Sequence, residues 1–89
     1  MNKYSLEEIS KLGEKIYFER LQNKLEPFRN GEYAVIDVET GDYFVDEDRL
    51  KAVEIARQKN GNKLFYIVQI GNLKESVVNF KKTAYAWNI

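Results

Sequence analysis

The chain of 89 residues contains no cysteine and no histidine. Without cysteine there is neither a disulfide framework nor a thiolate zinc site. Without histidine the commonest general base is missing, along with Ser-His and Cys-His nucleophile systems and imidazole metal ligation. The chain also lacks an excess of either charge, with 14 Lys and Arg against 14 Asp and Glu. Polyanion affinity comes largely from neutralised phosphates, so zero net charge argues against nucleic-acid binding as the dominant role. No apolar run approaches the roughly 20 residues that span a bilayer. The opening residues "MNKYSLEEIS" lack the basic-then-apolar layout of a secretory signal. A cytoplasmic location is the expectation.

Present instead are 44% hydrophobic and 13% aromatic residues, enough for a folded chain. This length gives one domain, 1–89, with a single modest core. "SLEE" at 5–8 is a capping box, and Leu6, Ile9, Leu12, Ile16, Tyr17, Leu21 and Leu25 follow at helical spacing. Residues 1–12 are either the first part of this helix or an arm. Gly13 inside the apolar stripe predicts close approach of another backbone. Pro27, the only proline, ends the helix.

Strand one is "EYAVIDVE" at 32–39, a short turn follows at "ETGD", and "YFV" at 43–45 returns as strand two. A second helix begins in "DEDRL", capped by Asp46 or Asp48, with Leu50, Val53 and Ala56 on its inner side; Gly61 stops it. "KLFYIVQI" at 63–70 reads as a central strand. After a loop at 71–72, "ESVVNFKK" reads as an edge strand guarded by lysines. "TAYAWNI" at 83–89 is an apolar tail, expected to be ordered. The predicted fold is α+β, α-β-β-α-β-β, with a mainly antiparallel four-stranded sheet in the order 2-1-3-4.

Three patterns could carry function. "VIDVETG" resembles the opening of metal-dependent exonucleases of the DnaQ type, with Asp37 and Glu39 as a metal pair. Such a site needs further carboxylates and a water-orienting group, and the family's downstream His or Tyr motif has no histidine here. The hairpin reading is preferred, with no metal and no cofactor expected. "ETG" touches the D-T-G of retroviral-type aspartic proteases, but Glu39 stands where Asp is required. Asp37 and Gln69 are polar residues within apolar strands. They read either as a buried polar pair that fixes register or as a polar spot in an aromatic partner surface.

Aromatics supply the third pattern. Tyr33, Tyr66, Tyr85 and Trp87, with Asp37 and Gln69, form the expected interaction set for another protein or a second copy of the chain. The alternative is nucleic-acid binding, in which aromatics stack bases beside Arg57, Lys59, Lys63, Lys81 and Lys82. Glu32, Asp37, Glu39 and Asp42 on the same sheet oppose it by repelling phosphates.

From Gly13 onward the chain resembles a small prokaryotic domain family for which no activity is established. Its recurring form is close to G-x-x-I-Y-x-x-x-L, then G-x-x-V/A-x-I/V-D/E-V-E-S/T-G-D-Y, an E-A-V-x-x-A helix and a strand ending V-R-I/V-G. This sequence supplies "GEKIYFERL" at 13–21, "GEYAVIDVETGDYFVDED" at 31–48, "KAVEIA" at 51–56 and "FYIVQIG" at 65–71. It departs at Gln69, where the family often carries Arg, and in the tail after Gly71. The resemblance implies a small cytoplasmic protein of the kind encoded beside toxin–antitoxin or similar partner genes. It supplies context rather than mechanism. The expectation is a non-catalytic, antitoxin-like or accessory interaction module, with homodimerisation as its nearest variant.

Overall fold

The computed structural model describes residues 4–78. The chain enters through α1, Leu6–Ile16, whose capping box forms as the sequence implies. Ser5 Oγ accepts from the Glu8 N–H at 3.1 Å, and Glu8 Oε1 accepts from the Ser5 N–H at 2.8 Å. The helix then widens into a π segment, Tyr17–Leu21, before closing as α2, Gln22–Leu25. At the end of the wide turn the Gln22 N–H donates to the Tyr17 carbonyl, five residues back.

Sequence explains that widening. Ile9, Gly13, Tyr17, Leu21 and Leu25 are all buried and fall at a constant spacing of four. In a regular α-helix of 3.6 residues per turn each step of four drifts about 40°, so the stripe would wind off the core. One wider turn cancels part of the drift and keeps Leu21 and Leu25 inward. A single uniform helix was the expectation; the four-residue period is what overrides it.

β1, Tyr33–Ile36, pairs antiparallel with β2, Tyr43–Asp46, in the register Tyr33 to Asp46. Between them the Gly41 N–H donates to the Asp37 carbonyl at 2.7 Å and the Asp37 N–H to the Asp42 carbonyl at 2.9 Å. Gly41 holds φ +82°, a left-handed conformation that costs glycine nothing. α3, Arg49–Asn60, is capped by Asp48, whose side chain accepts from the Leu50 N–H at 2.9 Å. β3, Tyr66–Gln69, then pairs antiparallel with the free side of β1. β4, Asn72–Val78, follows β3 and pairs with it antiparallel, so the strands lie in the order β2-β1-β3-β4.

The expected α-β-β-α-β-β layout, with a sheet order of 2-1-3-4, needs correction in its parts. The part of the sheet that the helices cover is three-stranded and antiparallel, β2-β1-β3. The fourth is not the segment 75–82 set off by a loop. It begins at Asn72, straight after a turn at Ile70 and Gly71, where Gly71 takes φ +85°. β1 and β3 are shorter than read, β1 stopping before Asp37 and β3 starting at Tyr66, while β2 runs one residue longer, to Asp46.

Strand alternation divides the core. Ala34, Ile36, Tyr66 and Val68 face the α1 to α2 rod with Ile9, Tyr17, Leu21 and Leu25. Val35, Phe65 and Ile67 face α3 through Ala52, Val53 and Ala56. Small residues on α3 let its axis approach the sheet closely. β1 and β3 are therefore covered on both faces, so neither presents the aromatic partner surface offered as one reading of the sequence. Leu50, expected inside, stands 53% exposed beyond the α3 contact. Gly13 does mark a close approach, but to a side chain rather than a backbone. A Cβ there would lie 2.2 Å from Tyr66 Cγ.

Candidate functional site

Buried polar chemistry concentrates at the hairpin end of the sheet. Asp37 follows the last residue of β1 and shares strand parity with Val35, so its side chain lies on the α3 side; it is 1% exposed. Its Oδ1 accepts from the Glu39 N–H at 3.0 Å, a local turn that orders the first half of the hairpin loop. Its Oδ2 accepts from Asn60 Nδ2 at 2.8 Å and from Lys63 Nζ at 2.9 Å. Lys63 Nζ also lies 2.7 Å from Glu39 Oε1, and Asn60 Nδ2 lies 3.0 Å from Asp42 Oδ2. One carboxylate thus fastens the hairpin turn to the last residue of α3 and to the approach to β3.

Electrostatics follow from these partners. Burial alone would raise the Asp37 pKa. The hydrogen bonds from Asn60, Lys63 and the Glu39 N–H, with the Lys63 charge, outweigh it and hold the carboxyl below its ordinary value. Burial would likewise lower the Lys63 pKa, but its bonds to Glu39 and Asp37 raise it. Both directions fix the charged forms at neutral pH. The ideal general base has a pKa near the working pH, and an amine nucleophile is activated by a depressed one. The shifts at Asp37 and Lys63 run the other way.

The ammonium also bears on the exonuclease reading. It lies within hydrogen-bonding distance of both carboxylates that a metal would take, Asp37 and Glu39. Among the described residues no group of three or more acidic side chains is arranged to hold a metal ion. Beside this centre an open cleft of about 350 Å³ separates the helix at Lys15, Glu19 and Arg20 from the turn at Glu39, Thr40 and Gly41. Its charges are of both signs and select no ligand.

The expected interaction residues are not gathered in one place. Asp37 and Gln69 are not a pair, because the β1–β3 register puts Gln69 opposite Tyr33, at the other end of the strand from Asp37. Gln69 Nε2 donates instead to the Gly31 carbonyl at 3.1 Å, and its Oε1 accepts from Asn72 Nδ2. Tyr66 is buried under Gly13 and offers no surface. Tyr33 is half-buried, with the Arg49 guanidinium 5.9 Å from its ring centroid. Of the nucleic-acid set, Lys63 is the internal counter-ion of Asp37, while Arg57 and Lys59 sit in the last turn of α3. Tyr85, Trp87, Lys81, Lys82 and the whole tail 83–89 lie outside the described residues.

Asn60 escaped the sequence reading, where "KNGN" served only to stop a helix. Nothing local in that stretch signals its bond to Asp37. Lys63 was legible in principle, since an aspartate inside an apolar strand requires a nearby cation.

Compared with known proteins, the chain matches no family model, no curated protein and no solved structure. No helix among the described residues is long and apolar enough to cross a membrane.

Proposed function

We propose that the chain is a non-catalytic protein-interaction module acting in the cytoplasm, accessory to or antagonistic toward a partner protein in the manner of an antitoxin. The supporting observation is where large apolar side chains stand once the core is filled. Phe28 is 80% exposed, and Phe18, Leu6, Tyr43 and Leu50 are also exposed, while both faces of β1 and β3 are packed. Exposed apolar area is the raw material of a protein interface. The polar centre fits the same reading, because its charges are matched internally. The resemblance to a small family encoded beside partner genes is part of this proposal. The nucleic-acid alternative is weakened by the commitment of Lys63 to Asp37 and Glu39.

Affinity purification of the tagged chain from its native cell tests the reading. A protein recovered in stoichiometric amount, and lost from Phe28→Ser or Leu50→Ser variants that melt like the parent, is the expected result. Recovery of RNA without protein, or metal-dependent nuclease activity abolished by Asp37→Asn, would overturn it.

A further inference from the structure

Among the described residues β2 has a strand neighbour on one side only. Which of its backbone groups face outward follows from the hairpin. The Asp37 N–H to Asp42 carbonyl bond marks that pair as hydrogen-bonded, in the same register as the pairs that follow. Antiparallel pairs alternate between hydrogen-bonded and non-hydrogen-bonded. Val35–Phe44 and Tyr33–Asp46 are then the bonded pairs, and Tyr43 and Val45 point their N–H and C=O groups away from β1. A row of such groups is a template for an added strand.

Charge selects what that strand carries. Residues 42–48 hold Asp42, Asp46, Glu47 and Asp48 and no cation. Arg29 and Lys51 border the Asp46 side together with Glu32 and Glu47, and Arg29 is bridged to Glu32 at 3.3 Å. Arg49 lines the recess at the Asp46 end and Arg20 lies against Gly41 at the other, but Asp42, Asp46, Glu47 and Asp48 make the edge segment itself acidic. A second copy of the chain fits poorly. Self-pairing that uses both Tyr43 and Val45 centres on Phe44 and sets Asp42 opposite Asp46 of the second copy, twice. Like charges directly opposite are destabilising. Beyond the Asp46 end lies an open recess of about 610 Å³ between Tyr33, Leu50 and the start of α3, with room for a side chain of an incoming strand.

We propose that the outer edge of β2 takes up an extended segment of a partner protein as an added strand, with apolar residues along Tyr43–Val45 and basic residues facing Asp42 and Asp46. The inference rests on the interaction-module reading and names its surface.

The probe is a synthetic peptide of alternating valine and threonine with lysine at both ends, titrated to millimolar concentration against the full chain. Amide hydrogen exchange reads the site. Exchange at Tyr43 and Val45 should slow, and a peptide N-methylated at alternate residues should bind on the order of tenfold more weakly. Asp46→Asn keeps an acceptor for the Asp48 N–H, which Asp46 Oδ1 takes at 2.8 Å, and should weaken the lysine peptide alone, leaving a neutral-ended one unaffected. No slowing at Tyr43 and Val45, or slowing that the N-methylated peptide reproduces, would overturn the proposal. So would concentration-dependent protection of these amides without peptide, which would mean self-pairing. If a co-purifying protein leaves both amides exchanging freely, the edge site fails while the interaction reading stands. If no protein co-purifies, the reading beneath it fails.

Discussion

The two ends of the sheet each tie down a carboxylate, but with different partners. At the hairpin end Asp37 meets the ammonium of Lys63, and both groups are charged. At the other end Glu26 Oε2 accepts from the phenol of Tyr17 at 2.5 Å, and that phenol oxygen accepts from the Gly71 N–H at 3.3 Å. Nearby, backbone bonds from Gly31 to Ile70 and from Ile70 to Glu32 close the strands. An ion pair holds where both members are ionised; a phenol donor holds only while it keeps its proton. Of the two, only the ion-pair end should loosen in acid, whereas in alkali both decline, the Tyr17 end through its phenol and the other through Lys63. The shifts at Asp37, Lys63 and Tyr17 all run away from neutrality.

The largest expected effect lies between the ends and should be indifferent to pH. Gly13→Leu drives a side chain into the buried Tyr66 ring and should cost about 3 kcal/mol or more in denaturant unfolding, despite better helix propensity. A gain in stability would mean that α1 does not cross Tyr66. Next comes Lys63→Met, which strips the counter-ion from a carboxylate 1% exposed. About 2–3 kcal/mol should be lost at pH 7, somewhat under the range for a fully buried pair because Lys63 is partly solvated. The lowered Asp37 pKa contributes stability above its unfolded value of 3.8, lost as pH falls through the native value. The gap between parent and Lys63→Met should close over that acid range. A gap unchanged from pH 7 to pH 2 would break the comparison.

Tyr17→Phe should cost about 1–2 kcal/mol near pH 8, by removing the phenol bonds and leaving the Gly71 N–H without that acceptor. Burial first, and then the bond to Glu26, push the Tyr17 pKa up to about 12 from 10.0. A raised pKa contributes stability that is complete below pH 10 and lost as pH rises toward 12. Lys63, raised above 10.5, declines in the same alkaline range. Tyr17→Phe should flatten the parent's alkaline loss and leave its acid limb unchanged. The smallest effect is Gln69→Ala, less than about 1 kcal/mol, since its bond to Gly31 is partly exposed.

Local signals carried much of the fold. The capping box, the Gly41 turn and the Asp48 cap were readable because each depends on residues within a few positions of one another. The π segment was written in the constant spacing from Ile9 to Leu25, a regularity easily taken for an ordinary helical stripe. Strand four was misplaced because "GN" at 71–72 looks like a loop, whereas Gly71 makes a turn tight enough for Asn72 to pair at once with Gln69. The site was less legible. Asp37 announced itself by its apolar setting, but its partners Asn60 and Lys63 lie 23 and 26 residues away and sit close only because α3 ends over the hairpin. Tyr66 was placed on the surface because aromatic content says nothing of which strand face a helix will cover.

The internal neutralisation of Asp37 and Glu39 by Lys63 is the point on which the non-catalytic reading turns. The thermal midpoint of the parent protein, followed as Mn²⁺ is raised to millimolar concentration at pH 7, tests it directly. With the ammonium seated between the carboxylates, the midpoint should stay level across the titration. A saturable rise that disappears in Asp37→Asn would show that a divalent cation displaces Lys63, and the "VIDVE" segment would then be a metal site after all.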